Sequence, residues 1–226
     1  MTKRIGGLGT GSVREAVWRV IDRDPSIQHD LSRDLINVRA LARYCSKLGI
    51  GGTEDAIISS VRRYPAGSRA RVQYEAARNV VGQSSLSTKS HIVNIALSKG
   101  QDAQDVLPKL FGLVRYEKGE TLRIVQGEES IKLLVDERNL PKMLELIPRK
   151  IVLNVHKGLA EIDLKLHPKA VETPGIMLVI GSELARNGIN MYEIMSCVPE
   201  MLIFLDEKDV LDAYRVLFEL CHPQNK

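Results

Sequence analysis

"LLVDERNLPKMLELI", Leu133 to Ile147, lies over "IFLDEKDVLDAYRVL", Ile203 to Leu217, at an offset of 70 and without a gap. Asp136 and Glu137 recur as Asp206 and Glu207, and the apolar positions stay in phase. In both segments an apolar β-prone run leads into a helix-period run, so the chain uses one supersecondary unit twice. The same offset carried upstream sets Ile124 on Ile194, Val106, Leu107 and Leu110 on Ile176, Met177 and Ile180, and Ile92 on Ile162.

Each copy has the same order of elements. Ile92 to Leu97 and Ile162 to Leu166 are short β-prone runs, the second alternating as I-D-L-K-L. A helix-period segment follows, built on Val106, Leu107, Leu110 and Val114 in the first copy and on Ile176, Met177, Ile180 and Leu184 in the second. Two β-prone runs come next, "TLRIVQ" and "IKLLVD" in one copy and "MYEIMSCV" and "MLIFLD" in the other, and an amphipathic helix closes each. The first copy adds "IVLNV", Ile151 to Val155, whereas the equivalent place in the second copy holds only "CHPQNK". The order is βαββαβ, a ferredoxin-like split βαβ, with the second copy lacking its last strand. An open strand edge is a liability, so it is expected to be filled by Ser84 to Ser90 or by a second chain. That edge is then a candidate contact for a homodimer.

The expected fold class is α+β, with a basic helical domain over 1–83, a degenerate repeat over 84–157 and a site-bearing repeat, without its last strand, over 158–226. In the second copy, Pro174-Gly175 opens the first helix, Leu184 lies inside it, Gly188-Ile189-Asn190 leads into the next strand and Ile194 lies along that strand. On these residues the second copy resembles the ACT domain, a regulatory ligand-binding module of amino-acid enzymes. The resemblance implies an amino acid effector held by Thr173, Gly175, Ile176, Asn187, Asn190 and Met191, and oligomers formed through ACT sheets. The first copy has "QDAQDVLPKL" in place of Pro-Gly and "YEKGETL" in place of Gly-Ile-Asn, and so resembles a degenerate ACT repeat. Independently of the name, proline suits a first helical turn, glycine admits a ligand close to the backbone, and free N–H groups at a helix start receive a carboxylate. The plainer reading is that Pro174 only starts a helix and Gly188 only ends it.

The first 90 residues carry 15 Lys/Arg against 8 Asp/Glu, and the remainder 17 against 20. A polyanion partner is therefore expected to meet the N-terminal part. There, Ser12 with Glu15 forms a capping box ahead of Val13, Ala16, Val17, Val20 and Ile21; Asp24-Pro25 starts a second helix; Asn37 caps a third; and Thr53 caps Glu54 to Tyr64 after the turn "GIGG". Two helices joined by a short glycine turn behind a supporting helix match a helix-turn-helix. The last helix is expected to bury Ile57, Val61 and Tyr64 and to expose Ser59, Ser60, Arg62 and Arg63, with Arg69, Arg71 and Arg78 continuing the basic surface. DNA is the expected partner, with Ser59, Arg62, Arg63, Arg69 and Arg71 gripping phosphates. Glu54 and Asp55 at the start of that helix favour a protein contact instead, a regulatory or adaptor subunit of a metabolic enzyme. The whole layout resembles archaeal proteins described as predicted regulators of amino acid metabolism.

No catalytic constellation is expected. The five histidines are scattered, and the glycines of "GGLGTGS" follow no strand and precede no lysine. Asp136-Glu137 and Asp206-Glu207 read as helix caps and first-turn acids. Cys45, Cys197 and Cys221 have no paired spacing, so neither a disulfide framework nor a metal site is expected, and the thiols read as reduced and mostly buried. The sequence calls for no cofactor, shows no apolar run long enough for a membrane helix, and implies a cytoplasmic protein.

Overall fold

The computed structural model describes residues 11–65 and 69–222, the side chains of 69–72 excepted. The chain divides into two compact units, Met1–Ala77 and Arg78–Lys226.

The first unit holds α1 (Val13–Asp22), α2 (Pro25–Ser32), α3 (Val38–Lys47), α4 (Glu54–Arg62) and the start of α5 (Arg69–Val81). Each of the first four helices begins where a side chain takes up orphan backbone N–H groups. Ser12 and Glu15 complete a capping box, Asp24 accepts from Ser26 and Ile27, Asn37 from Arg39 and Ala40, and Thr53 from Ala56. Val17, Ile21, Leu41, Ala42, Cys45, Ile57 and Val61 form the core. Ser60, expected outside, is buried: its hydroxyl donates to the Ala56 carbonyl at 2.7 Å, and its own carbonyl accepts the Trp18 indole N–H at 2.9 Å. A small residue there lets the indole reach the helix backbone. Helix α5 had no sequence signal of its own, because its polar and basic residues interrupt any apolar stripe.

The second unit holds β1 (Ser85–Ser98), α6 (Gln101–Phe111), β2 (Leu122–Gln126), β3 (Ser130–Asp136), α7 (Leu140–Leu146), β4 (Val152–Lys165), α8 (Ile176–Arg186), β5 (Glu193–Cys197), β6 (Glu200–Asp206) and α9 (Val210–Cys221). The strands make one six-stranded antiparallel sheet in the order β2-β3-β1-β4-β6-β5. Strands β1 and β4 are 14 residues each and pair along their lengths, from Ser85↔Lys165 to Leu97↔Val152. Each therefore serves both copies. Ser85–Lys89 lies beside the first strand of the second copy, where that copy's own segment supplies no fourth strand among the described residues.

The pairing corrects the offset upstream of the hairpin. Ile92 pairs with Asp136 and Leu159 pairs with Asp206, so Ile92 corresponds to Leu159 rather than Ile162. The long strands are offset by 67 and the hairpin by 70, and the three residues are made up in the connectors on either side of the first helix. Both long strands bulge at the same place, with His91 at φ +60° and Gly158 at φ +75°.

Val93, Ile95, Leu97, Leu133 and Val135 pack with Ala103, Val106, Leu110 and Met143 of α6 and α7. Alternation puts Ile92, Leu134, Leu159, Leu202 and Phe204 on the opposite face, where they form a second buried cluster. On that face Lys132 of β3 pairs with Glu193 of β5, and Arg123 of β2 pairs with Glu161 of β4 at 3.2 Å. In a flat sheet β3 and β5 would stand about 19 Å apart at the usual strand spacing. The sheet therefore curls around the second cluster.

One more expectation about burial needs correction. Met177 is 49% exposed and Val179 takes its core place, because the buried face of α8 runs through Ile176, Val179, Ile180 and Leu184. Cys45 and Cys221 are buried thiols, and burial pushes both up from their ordinary range, whereas Cys197 is exposed on the edge strand β5. No described helix is long and apolar enough to cross a membrane.

Candidate ligand-binding site

The copies differ most in how each first strand reaches its helix. In the first copy only Lys99 and Gly100 separate β1 from α6; in the second, residues 166–175 separate β4 from α8. Within that longer connector Pro168–Glu172 makes a 3-10 turn, and Thr173 fixes its far end by donating its hydroxyl to the Lys169 carbonyl at 2.6 Å. The Leu166 N–H donates to the Pro199 carbonyl at 2.8 Å, which ties the connector to the turn of the β5–β6 hairpin.

Gly175 occupies the N-cap position of α8 at φ +96°, a left-handed conformation that disfavours any side chain. No side chain caps this helix and its first turn has no acid. The first bond of its ladder runs from the Val179 N–H to the Gly175 carbonyl at 3.0 Å. The N–H groups of Ile176, Met177 and Leu178 thus have no place in the ladder. They start a helix whose dipole favours negative charge there.

This helix start borders an open cavity of about 330 Å³, flanked on the other side by Ser196, Val198 and Met201 of the hairpin. Leu166, Val171 and Met177 make its remaining walls mainly apolar, and Thr173 and Ser196 supply hydroxyl groups. An uncapped helix start facing an apolar chamber suits a small carboxylate with an aliphatic body.

Of the residues expected at the site, Thr173, Gly175 and Ile176 come together on this cavity. Asn187, Asn190 and Met191 lie beyond the other end of α8, whose 11 residues span about 16 Å. Asn187 borders a separate polar cavity of about 420 Å³ with Arg78, Arg186 and Arg215, and Asn190 is exposed. The Met191 methyl packs near Gly181, 3.7 Å from where a β-carbon would stand. Sequence reasoning missed Leu166, Val171, Ser196, Val198 and Met201, and no signal in the sequence could have found them, because the unequal connector lengths emerge only from the strand ladder.

The first copy handles the same helix start differently. Asp102 stands in the first turn of α6 and pairs with Lys150 at 2.7 Å, so this helix carries its own negative charge. Its extra residues lie after the helix, at 112–121, and fill a polar network. The Glu120 carboxylate accepts from the Arg115 N–H at 2.9 Å, from the Asn139 amide at 3.0 Å and from the Arg115 guanidinium at 3.1 Å. The Arg115 N–H and then the Asn139 amide hold Glu120 down at about 2, against the opposing effect of burial. Asp136, 3% exposed, accepts the Thr121 N–H at 2.6 Å and the Lys89 ammonium at 3.1 Å. It makes no capping bond, contrary to the sequence expectation: its carboxylate is held by Thr121 of the connector and Lys89 of β1, and Asp206 makes no capping bond either. Its counterpart Asp206 is exposed and pairs with Lys208.

In the first unit, Arg62 at the end of α4 and Arg63 just after it are exposed, and the half-buried Ser59 accepts a hydrogen bond from the Arg63 guanidinium. The side chains of Arg69 and Arg71 lie outside the described residues.

No family model matches this chain, and no curated protein matches its sequence. Solved structures give partial likenesses. The ligand-free regulatory subunit of aspartate kinase from Thermus thermophilus is 16% identical, with a TM-score of 0.47 over 60% of this chain and 95% of its own. Aspartate kinase from Clostridium acetobutylicum is 17% identical, with a TM-score of 0.48 over 60% of this chain, and the match spans only 33% of the kinase. A protein of unknown function from Vibrio cholerae is 15% identical, with a TM-score of 0.46 over 66% of this chain and 98% of its own.

Proposed function

We propose that this chain is a non-catalytic, amino-acid-responsive regulatory protein. Its second copy binds a small amino acid by the carboxylate at the start of α8, and its helical unit contacts DNA to regulate amino acid metabolism. The observation that carries the first half is the uncapped, acid-free start of α8 opening on the cavity of about 330 Å³, at the Pro-Gly on which the ACT resemblance rests. The mainly apolar walls favour an aliphatic side chain over a charged one.

A thermal-shift screen of the proteinogenic amino acids tests it. A ligand at 100 times its Kd adds about 2.7 kcal/mol, or about 5 to 10 °C for a chain of this size. Gly175→Val abolishes the response, since the new side chain is strained at φ +96° and stands over the free amides. A flat panel overturns the reading.

Support for the DNA half is the basic balance of the first 90 residues and the exposure of Arg62 and Arg63. DNA retention that falls steeply with salt, and weakens in Arg62→Glu with Arg63→Glu, is the expected result. The second reading, contact with a metabolic enzyme, is favoured by Glu54 and Asp55 in the first turn of α4, where they oppose a phosphate backbone. Enzyme capture without any DNA shift would decide for it.

A further inference from the structure

We infer that the helical unit carries a second small-molecule site, for a compact aromatic carboxylate, in the cavity among α1, α2 and α3. This cavity has a volume of about 200 Å³. Its apolar walls are Val20 of α1, Ile27 of α2 and Leu48 just after α3, and the half-exposed ring of Tyr44 stands beside them. Two cations, Arg19 and Arg23, and the carboxylate of Asp24 complete the lining. A cavity of about 150 Å³ accepts benzene, so this one accommodates a single ring with a carboxylate.

The charges point the same way. The Nε of Arg19 is buried and has no hydrogen-bond partner. As the side chain stands, this N–H is out of solvent reach and the guanidinium lies on the Glu15 side, so a carboxylate, whose two oxygens match the guanidinium fork, engages it as Arg19 turns toward the cavity. Asp24 also lines the cavity, but its Oδ1 accepts the Ser26 and Ile27 N–H groups at 2.9 and 3.2 Å and is committed to capping α2. Nearby, the Glu15 carboxylate accepts the Ser12 N–H in the capping box of α1. Neither acid forms an ion pair with Arg19 or Arg23 among the described residues. The arrangement is therefore an apolar slot with a cationic mouth. It differs in kind from the start of α8, where backbone N–H groups, with no cationic side chain in the lining, would hold the ligand.

The site also has a route to α4. Trp18, the only tryptophan, neighbours Arg19 on α1 and donates its indole N–H to the Ser60 carbonyl of α4. Trp18 and Arg19 line one surface groove together, so a ligand that reorients Arg19 changes the surroundings of the indole.

The test is a titration of the full chain with benzoate, acetate and benzyl alcohol, followed by Trp18 fluorescence and by calorimetry. Benzoate is expected to saturate with a Kd of about 1 mM or tighter. Acetate lacks the ring and benzyl alcohol lacks the charge, and each should bind at least about tenfold more weakly. Arg19→Met should weaken benzoate by a similar factor, with Arg19→Lys keeping part of the affinity. Ile27→Phe, which fills the slot and leaves both charges in place, should also lose binding and serves if Arg19→Met fails to fold. Gly175→Val should leave the benzoate response intact, which separates this site from the one at α8. Failure of benzoate to saturate, equal binding of benzyl alcohol, or undiminished binding in both Arg19→Met and Ile27→Phe overturns the proposal.

Discussion

The two copies in the second unit share a sheet, a helix pair and a bulge, yet one is filled where the other is open. Asp136 and Asp206 show the difference at a single position. Both end the third strand of their copy and both precede a glutamate. Asp136 is buried against Thr121 and Lys89, while Asp206 is exposed beside Lys208. What separates them is the placing of connector residues: the first copy puts its long connector after the helix and packs it with charge, and the second puts its long connector before the helix and frames a cavity. A duplicated fold thus keeps its apolar pattern and diverges where the chain length is free to change.

The widest gap between the copies should appear on removing these two aspartates. Asp136→Ala leaves the Thr121 N–H without its acceptor and takes the carboxylate from the Lys89 ammonium, which keeps the Gly119 carbonyl and the Thr121 hydroxyl, and is expected to cost about 2 kcal/mol in urea unfolding. Asp206→Ala removes an exposed pair and should stay within about 0.5 kcal/mol of the parent. Equal costs would break the comparison.

The bulges give a smaller asymmetry. Gly158 has open space around a would-be β-carbon, so Gly158→Ala costs only conformational strain, about 1 kcal/mol. At the matching position His91 already bears that strain and pairs with Glu207 at 3.1 Å. His91→Gly relieves the strain but loses the exposed pair and gains unfolded-state freedom, so it should remain within about 0.5 kcal/mol of the parent. A large loss in His91→Gly would mean that the imidazole holds the two copies in register.

How much of this was legible in the sequence follows from what each segment must satisfy. The hairpin and second helix could be aligned because every alternate residue is pinned to a buried face and no length change is tolerated there. Upstream, an ungapped offset set Ile92 on Ile162 because the sequence gives no sign of where a connector lengthens; the strand ladder sets it on Leu159. The open edge of the second copy was visible as a missing strand, and of the two fillers expected, Ser84 to Ser90 or a second chain, the ladder places Ser85–Lys89 there. The depth of Asp136 was not visible, since "VDE" and "LDE" read alike and only the connector residues decide which is covered. At the site, Pro174-Gly175 marked one wall, whereas Ser196, Val198 and Met201 became wall residues only when the hairpin folded back. Nor was Arg19 singled out, because a lone arginine on an amphipathic helix reads as a solvated charge until packing isolates its Nε.

The finest test exchanges the charge at the two helix starts. Asp102 is the second residue of α6 and Met177 the second of α8. Met177→Asp gives α8 the charge that α6 already has, and since Met177 is half exposed the helix should gain about 0.5 kcal/mol from its dipole at little loss of packing. The same carboxylate stands over the free amides, so the amino-acid thermal shift should vanish while the unliganded Tm holds or rises. Asp102→Met should cost about 0.5 kcal/mol through the lost dipole and Lys150 contacts and leave the amino-acid response unchanged. Loss of stability together with the response in Met177→Asp would make the effect structural. A response that survives Met177→Asp puts the ligand carboxylate somewhere other than the start of α8, and the difference between the copies would then lie in packing alone.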